Sequence, residues 1–136
     1  MGAVTPMTVP GCRKLILVAD DQPDIRKLFR MTLECYEDMD VIEANDGSSA
    51  WLEAQLLKPE VIVLDAMMPG LNGYELCSLV RQSPVLCTTK IIICSARAQQ
   101  EDIAKGRLAG CDAYLTKPFS PIVLLDTIDA LLGRVH

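Results

Sequence analysis

At 136 residues the chain has room for one domain, and a domain of that size closes a core without disulfides or structural metal. Half of the residues are hydrophobic, yet only Phe29, Tyr36, Trp51, Tyr74, Tyr114 and Phe119 are aromatic, so Leu, Ile, Val, Met and Ala must fill the interior. The net charge of -5, with basic residues dispersed as Arg13-Lys14, Arg26-Lys27-Arg30 and Lys105 with Arg107, argues against a surface that tracks a nucleic-acid backbone.

The first apolar run, Leu15-Ile16-Leu17-Val18-Ala19, lacks alternation, as a strand covered on both faces does. A helix follows Pro23, which suits a first turn, with Ile25, Leu28, Phe29, Thr32 and Leu33 on one face and Arg26, Lys27, Arg30 and Glu34 on the other. A less apolar strand fits 40–44. Asn45-Asp46-Gly47-Ser48 then reads as turn and cap for a helix carrying Ala50, Trp51, Ala54 and Leu57.

Pro59 precedes the third strand, Val61-Ile62-Val63-Leu64, and a loop with Gly70 and Gly73 leads to a helix over 74–81. Lys90-Ile91-Ile92-Ile93-Cys94 is the fourth strand. A polar helix near 99–109 stops at Gly110, and a short fifth strand spans 111–115. The last helix starts near Ser120 and turns Leu124, Leu125, Ile128, Leu131 and Leu132 inward. Five strands alternating with five helices imply an α/β fold with a parallel sheet, right-handed crossovers and helices on both faces.

The six cysteines have no CxxC spacing, and Cys94 and Cys111 lie inside apolar runs, so a reduced, cytoplasmic protein is expected. Zinc is disfavoured because the only histidine is His136. Residues 1–12 are expected to form a flexible leader to a domain over 13–136, and no run has membrane-spanning length.

Ligands of open parallel sheets bind beyond the carboxyl ends of the strands. Asp20-Asp21 ends the first strand, Asp65 the third and Ser95 the fourth, and Lys117 follows the fifth. Crowded carboxylates need a cation, and oxygen ligands without a nearby His suit Mg²⁺. Such a rim fits phosphoryl transfer, with Asp65 alone on its strand as nucleophile, Lys117 a point charge and Ser95 a hydroxyl donor.

Four motifs carry a resemblance: Leu17-Val18-Ala19-Asp20-Asp21, Val63 through Gly73, Ser95-Ala96, and Leu115-Thr116-Lys117-Pro118-Phe119. Over about residues 13–133 the chain resembles the receiver domains of two-component response regulators, the chemotaxis regulators among them. The resemblance implies a flavodoxin-like (βα)5 three-layer sandwich with strand order 2-1-3-4-5. It implies Asp65 as phosphoacceptor and Asp20, Asp21, Asp65 and the Met67 carbonyl as Mg²⁺ ligands. Ser95 and Lys117 match the family's hydroxyl and lysine, Tyr114 its switch aromatic, and Lys117-Pro118 its customary cis peptide. A signalling switch is implied rather than an enzyme, with self-phosphorylation from small donors and autodephosphorylation as its only chemistry. The implied partners are a histidine kinase or phosphotransfer protein upstream and an effector downstream.

Rival readings stand beside these. A haloacid-dehalogenase-like phosphatase also uses a strand-end Asp and Mg²⁺, but it wants Asp-x-Asp and a cap, where this chain has adjacent Asp20-Asp21 and little spare length. Tyr114 also reads as a half-buried aromatic with a wet hydroxyl, and Phe119 as packing. Ile122 and Val123 read as a partner patch continuous with Tyr114, or Ile122 as a cover for the fifth strand. The output is a stand-alone protein–protein switch, or else the receiver belongs to a larger regulator or hybrid kinase. Winged-helix regulators pair through a charged face, where this chain has Ala113, Asp126, Thr127 and Asp129. A monomer or a weak phosphorylation-dependent dimer is therefore expected, without direct nucleic-acid or membrane binding.

Overall fold

A computed structural model describes residues 14–134; the expected leader, Cys12 and His136 lie outside the described residues. The elements run β1 (Lys14–Ala19), α1 (Pro23–Leu33), β2 (Met39–Ala44), α2 (Gly47–Leu57), β3 (Val61–Leu64), α3 (Gly73–Gln82), β4 (Lys90–Ser95), α4 (Gln100–Ala109), β5 (Ala113–Thr116) and α5 (Pro121–Leu132). All strand pairs are parallel and the sheet order is β2-β1-β3-β4-β5. The chain has the flavodoxin-like three-layer architecture.

The uninterrupted apolar runs follow from that layering. Successive strand residues point to opposite faces, and both faces are covered. Leu17, Ile62, Leu64, Ile91 and Ile93 pack with Ala50, Ala54, Leu76 and Val80 from α2 and α3. Ile16, Val18, Val63, Ile92 and Cys94 pack with Phe29, Leu33, Leu124 and Ile128 from α1 and α5. On that second side the rings of Phe29 and Phe119 stack with centroids 4.5 Å apart, so Phe119 is a packing residue. Burial pushes the Cys77 and Cys94 thiols up to about 12, so both stay neutral and behave as small hydrophobes.

Local chemistry sets the helix ends. Pro23 opens α1, where a missing N–H costs nothing. The Asp46 carboxylate accepts the Ser49 N–H at 2.7 Å and caps α2. Asn72 and Glu75 form a reciprocal capping box at α3. Gly110 ends α4 with φ of 105°, and its carbonyl accepts a 2.7 Å bond from Arg81 Nε on α3.

Several expectations need correction. Leu28 and Leu57, placed on inner helix faces, are exposed, because the narrow inner stripes are already filled by Phe29 with Leu33 and by Ala50 with Ala54. The fifth strand starts at Ala113 rather than at Cys111, since Cys111 N–H still bonds back to Gly106 of α4. Asp129 is no surface charge of the last helix: it is buried, and its Oδ1 accepts the Tyr36 hydroxyl at 2.7 Å. Ile122 is 70% exposed, which leaves no role as a cover for β5.

Candidate functional site

The registers bring the polar strand ends to one rim. Ala19 lies beside Leu64, Leu64 beside Ile93, and Ser95 beside Thr116, so the residues after β1, β3 and β5 emerge next to Ser95 at the same end. Asp20 N–H still reaches the Ala44 carbonyl, and Asp65 N–H the Ala19 carbonyl, each at 3.1 Å. The sheet hydrogen bonding thus extends through both aspartates before the chain turns away.

Asp20 is fully buried, and Asp65 and Ser95 nearly so, whereas Asp21 is exposed. Carboxylate oxygens of Asp20, Asp21 and Asp65 lie within 4.8 Å of one another. Like charges at that separation repel by roughly 3 kcal/mol per pair at an effective dielectric of about 20. Lys117 Nζ bridges two of them, at 2.6 Å from Asp20 Oδ2 and 2.7 Å from Asp65 Oδ2. The remaining oxygens take backbone donors: Gln22 N–H to Asp20 Oδ1 at 2.9 Å and Met67 N–H to Asp65 Oδ1 at 3.0 Å.

Burial holds the Asp20 carboxyl above the usual aspartate range, and the bonds from Lys117 and Gln22 offset only part of that. Burial alone would lower the Lys117 ammonium. The hydrogen bonds and charges of Asp20 and Asp65 together outweigh it and raise Lys117 above its ordinary value. One ammonium for three crowded carboxylates leaves two negative charges and a set of hard oxygen donors. That donor set fits a small divalent cation such as Mg²⁺.

Lys117 also anchors its loop, since its N–H donates to the Ser95 carbonyl at 2.9 Å, and the Lys117–Pro118 peptide is cis. Ser95 Oγ accepts Arg97 N–H at 3.2 Å. The expected site residues Asp20, Asp21, Asp65, Ser95 and Lys117, with the Met67 backbone, are therefore gathered at one end of the sheet.

Tyr114 lies beside this rim with its hydroxyl committed to protein. It donates to the Arg97 carbonyl at 2.6 Å in an exposed position, and the ring is half-buried. The Tyr74 hydroxyl lies 3.2 Å from that of Tyr114 and also donates to the Asp102 carbonyl at 3.4 Å, so the two hydroxyls and two carbonyls form one small network. Ile122 and Val123 are exposed on the first turn of α5, and Val123 lines one surface cavity with Tyr114, Leu115 and Phe119. Two contributors escaped the sequence reading. Tyr74 was seen only as a helix start, and Arg26, whose Nη1 donates to the Asp20 carbonyl at 2.6 Å, only as a polar-face residue.

The chain matches the family described as the response regulator receiver domain over residues 16–129. It belongs to that family. Protein PilG of Pseudomonas aeruginosa is 39% identical over 115 residues, covering 85% of this chain and 84% of PilG. PhoP of Bacillus subtilis, an alkaline phosphatase synthesis transcriptional regulatory protein, is 40% identical over 121 residues, 89% of this chain but 49% of PhoP. The receiver chain thus spans about half the length of several curated relatives it matches. The solved structure of the chemotaxis response regulator CheY4 of Vibrio cholerae superposes with a TM-score of 0.80 at 30% identity, over 87% of this chain and 98% of that one. The receiver domain of Francisella response regulator 1452 gives 0.80 at 34% identity, over 88% and 97%.

As a receiver domain the chain is a signalling component of two-component systems, a switch rather than a turnover enzyme. Among the described residues no helix is long and apolar enough to cross a membrane.

Proposed function

We propose that this receiver accepts a phosphoryl group on Asp65 from a phosphohistidine of a kinase or phosphotransfer protein and thereby alters a protein-binding surface. The observation that carries the reading is the Lys117 ammonium held between Asp65 and buried Asp20 in a cluster of three carboxylates. Asp20, Asp21, Asp65 and the Met67 carbonyl would hold Mg²⁺. Bound there, the cation neutralises the carboxylates and the phosphoryl oxygens.

An Asp65 carboxylate oxygen attacks phosphorus, the N–P bond to the donor imidazole breaks, and the imidazole leaves with a proton. The product is an acyl phosphate, and water later cleaves it to carboxylate and inorganic phosphate. Lys117 exchanges one Asp65 oxygen for a phosphoryl oxygen, and Ser95 gives up the Arg97 N–H to donate its hydroxyl to another. Arg97 carries the carbonyl that Tyr114 holds, so the move passes to Tyr114. The face of α4, β5 and α5 then presents Tyr114, Ile122 and Val123 differently.

Protein–protein output is favoured over a winged-helix dimer. Ala113 replaces the acidic residue before Tyr114, and Asp129 is turned inward against Tyr36. A receiver within a longer transcriptional regulator is the second reading, supported by relatives such as PhoP and ResD, of which the chain covers about half. Incubation with radiolabelled acetyl phosphate and Mg²⁺ should label wild type and leave Asp65→Asn unlabelled; equal labelling of both refutes the proposal.

A further inference from the structure

The structure assigns Arg26, braced by Glu43, as the positioning residue that orients the Asp20–Asp21 pair toward its divalent cation; the inference rests on the metal-site reading above. Arg26 lies on α1, three residues after its opening Pro23. Its guanidinium leans back over the turn it has just left, where Nη1 donates to the Asp20 carbonyl at 2.6 Å. That carbonyl belongs to the peptide joining Asp20 to Asp21. Fixing its plane restrains the backbone from which both side chains depart.

The two aspartates depend on this bond unequally. Asp20 has its own restraints, with Gln22 N–H on one oxygen and Lys117 on the other. Asp21 carries an exposed carboxylate with no such bonds to its oxygens among the described residues, so the placement of its backbone is the restraint that the fold supplies. Arg26 acts through that backbone and touches neither carboxylate.

Glu43 keeps the guanidinium in place. Its Oε1 meets Arg26 Nε at 3.3 Å, and its Oε2 meets Arg30 Nε at 2.6 Å. Glu43 is the residue before Ala44, whose carbonyl receives the Asp20 N–H. The edge strand β2 thus grips Asp20 twice, once through backbone and once through the Glu43–Arg26 pair. Arg26 is the better buried of the two arginines, at 16% side-chain exposure against 45% for Arg30. An arginine suits the task because its planar fork reaches a carbonyl and a carboxylate at once.

Charge and positioning predict opposite signs, and that makes the role testable. Removing a positive charge beside a cation site should tighten cation binding through the field alone. Removing a group that orients a ligand from outside the coordination sphere typically weakens metal affinity 10–100-fold. Mg²⁺ affinity is measured by titration calorimetry on the full chain, with backbone amide NMR of Asp20 and Asp21 as a second readout. Arg26→Gln should bind Mg²⁺ on the order of tenfold more weakly, with shifted Asp21 amide resonances. Arg26→Lys, which keeps charge and one donor, should recover part of the loss. If Arg26→Gln folds poorly, Glu43→Gln is read by the Asp21 amide resonances, which should shift as they do on losing Arg26; unchanged resonances overturn the role. Arg30→Gln removes the other partner of Glu43 and should leave the affinity unchanged. Equal or tighter Mg²⁺ binding by Arg26→Gln overturns the positioning role while leaving the metal site intact. If wild type itself binds no Mg²⁺, or Asp65→Asn binds it as well as wild type, the metal-site reading fails and the inference fails with it.

Discussion

Tyr74 on α3 and Tyr114 on β5 place their hydroxyl oxygens 3.2 Å apart, although 40 residues separate them in the chain. Beyond that contact, Tyr114 donates to the Arg97 carbonyl at 2.6 Å and Tyr74 to the Asp102 carbonyl at 3.4 Å. The ring of Tyr74 also lies under the Lys105 ammonium, 5.4 Å from its centroid. Tyr114 is therefore tied to α3 and to the loop after β4 before any phosphoryl group arrives.

Tyr74→Phe removes the hydroxyl's contacts to Tyr114 and to the Asp102 carbonyl and no packing. Its cost should be about 1 kcal/mol, and the Tyr114 ring should gain mobility, seen as exchange broadening in aromatic NMR spectra. Tyr114→Ala should leave phosphorylation of Asp65 nearly unchanged while weakening phosphorylation-dependent capture of a partner. Loss of phosphorylation in Tyr114→Ala would place the tyrosine in the chemistry rather than in its readout.

Asp20 should cost stability where it serves function. Burial raises its folded pKa above the unfolded value near 3.8. A raised pKa contributes stability below the unfolded value, and that contribution vanishes as pH rises through the folded one. Ionised Asp20 is thus a net cost at neutral pH. Without metal, Asp20→Asn should melt higher than wild type at pH 7. The gap should close as pH falls below about 4, where both states of the wild-type aspartate are protonated. Excess Mg²⁺ should raise wild-type Tm and move the variant less. A variant less stable than wild type at pH 7 without metal would contradict this electrostatic reading.

Lys117 has the opposite sign. Its folded pKa is raised by the two aspartates, so its stabilisation persists below the unfolded value near 10.5 and is lost as pH rises through the folded one. Lys117→Met leaves three carboxylates without their internal cation. It should lower Tm across pH 6–9 and restore much of it with Mg²⁺, and its phosphoryl uptake should fall. Thermal melts at each pH with and without Mg²⁺ decide it, and a difference from wild type that disappears by pH 8 would refute it.

Gly73 is required by space. A Cβ there would overlap the Asp65 carbonyl oxygen and stand 2.9 Å from Ala66 Cα, both backbone atoms of the acceptor loop. Gly73→Ala should cost about 1–3 kcal/mol and slow Asp65 labelling, because the carbonyl that must move belongs to the acceptor itself. Gly133→Ala meets nothing within 4 Å but forces a side chain onto φ of 70°, so it should lower Tm through backbone strain while labelling stays normal. Equal labelling rates for the two variants would contradict the packing argument.

Much of the site was legible because its residues sit at strand ends, and strands were legible from runs such as Ile16-Leu17-Val18 and Ile91-Ile92-Ile93. Parallel alternation alone brings those ends to one rim. Helix faces were read less well. Leu28 and Leu57 share the periodicity of buried neighbours and yet face solvent, since apolar spacing does not reveal how wide a stripe the sheet accepts. Arg26, Tyr74 and Asp129 were missed because only the folded chain specifies their partners. Tyr74 and Asp129 act through partners distant in sequence, the Tyr114 and Tyr36 hydroxyls, and Arg26 through the Asp20 carbonyl six residues back, which its guanidinium reaches only because the chain turns between β1 and α1.

The central claim is that the phosphoryl group resides on Asp65 as an acyl phosphate. Intact-mass spectrometry after acetyl phosphate and Mg²⁺, followed by hydroxylamine treatment and fragment mapping, tests it directly. The expected result is one added phosphoryl group, borne by the fragment containing Asp65, removed by hydroxylamine and missing from Asp65→Asn. A hydroxylamine-resistant adduct, or one that persists in Asp65→Asn at wild-type level, would contradict it.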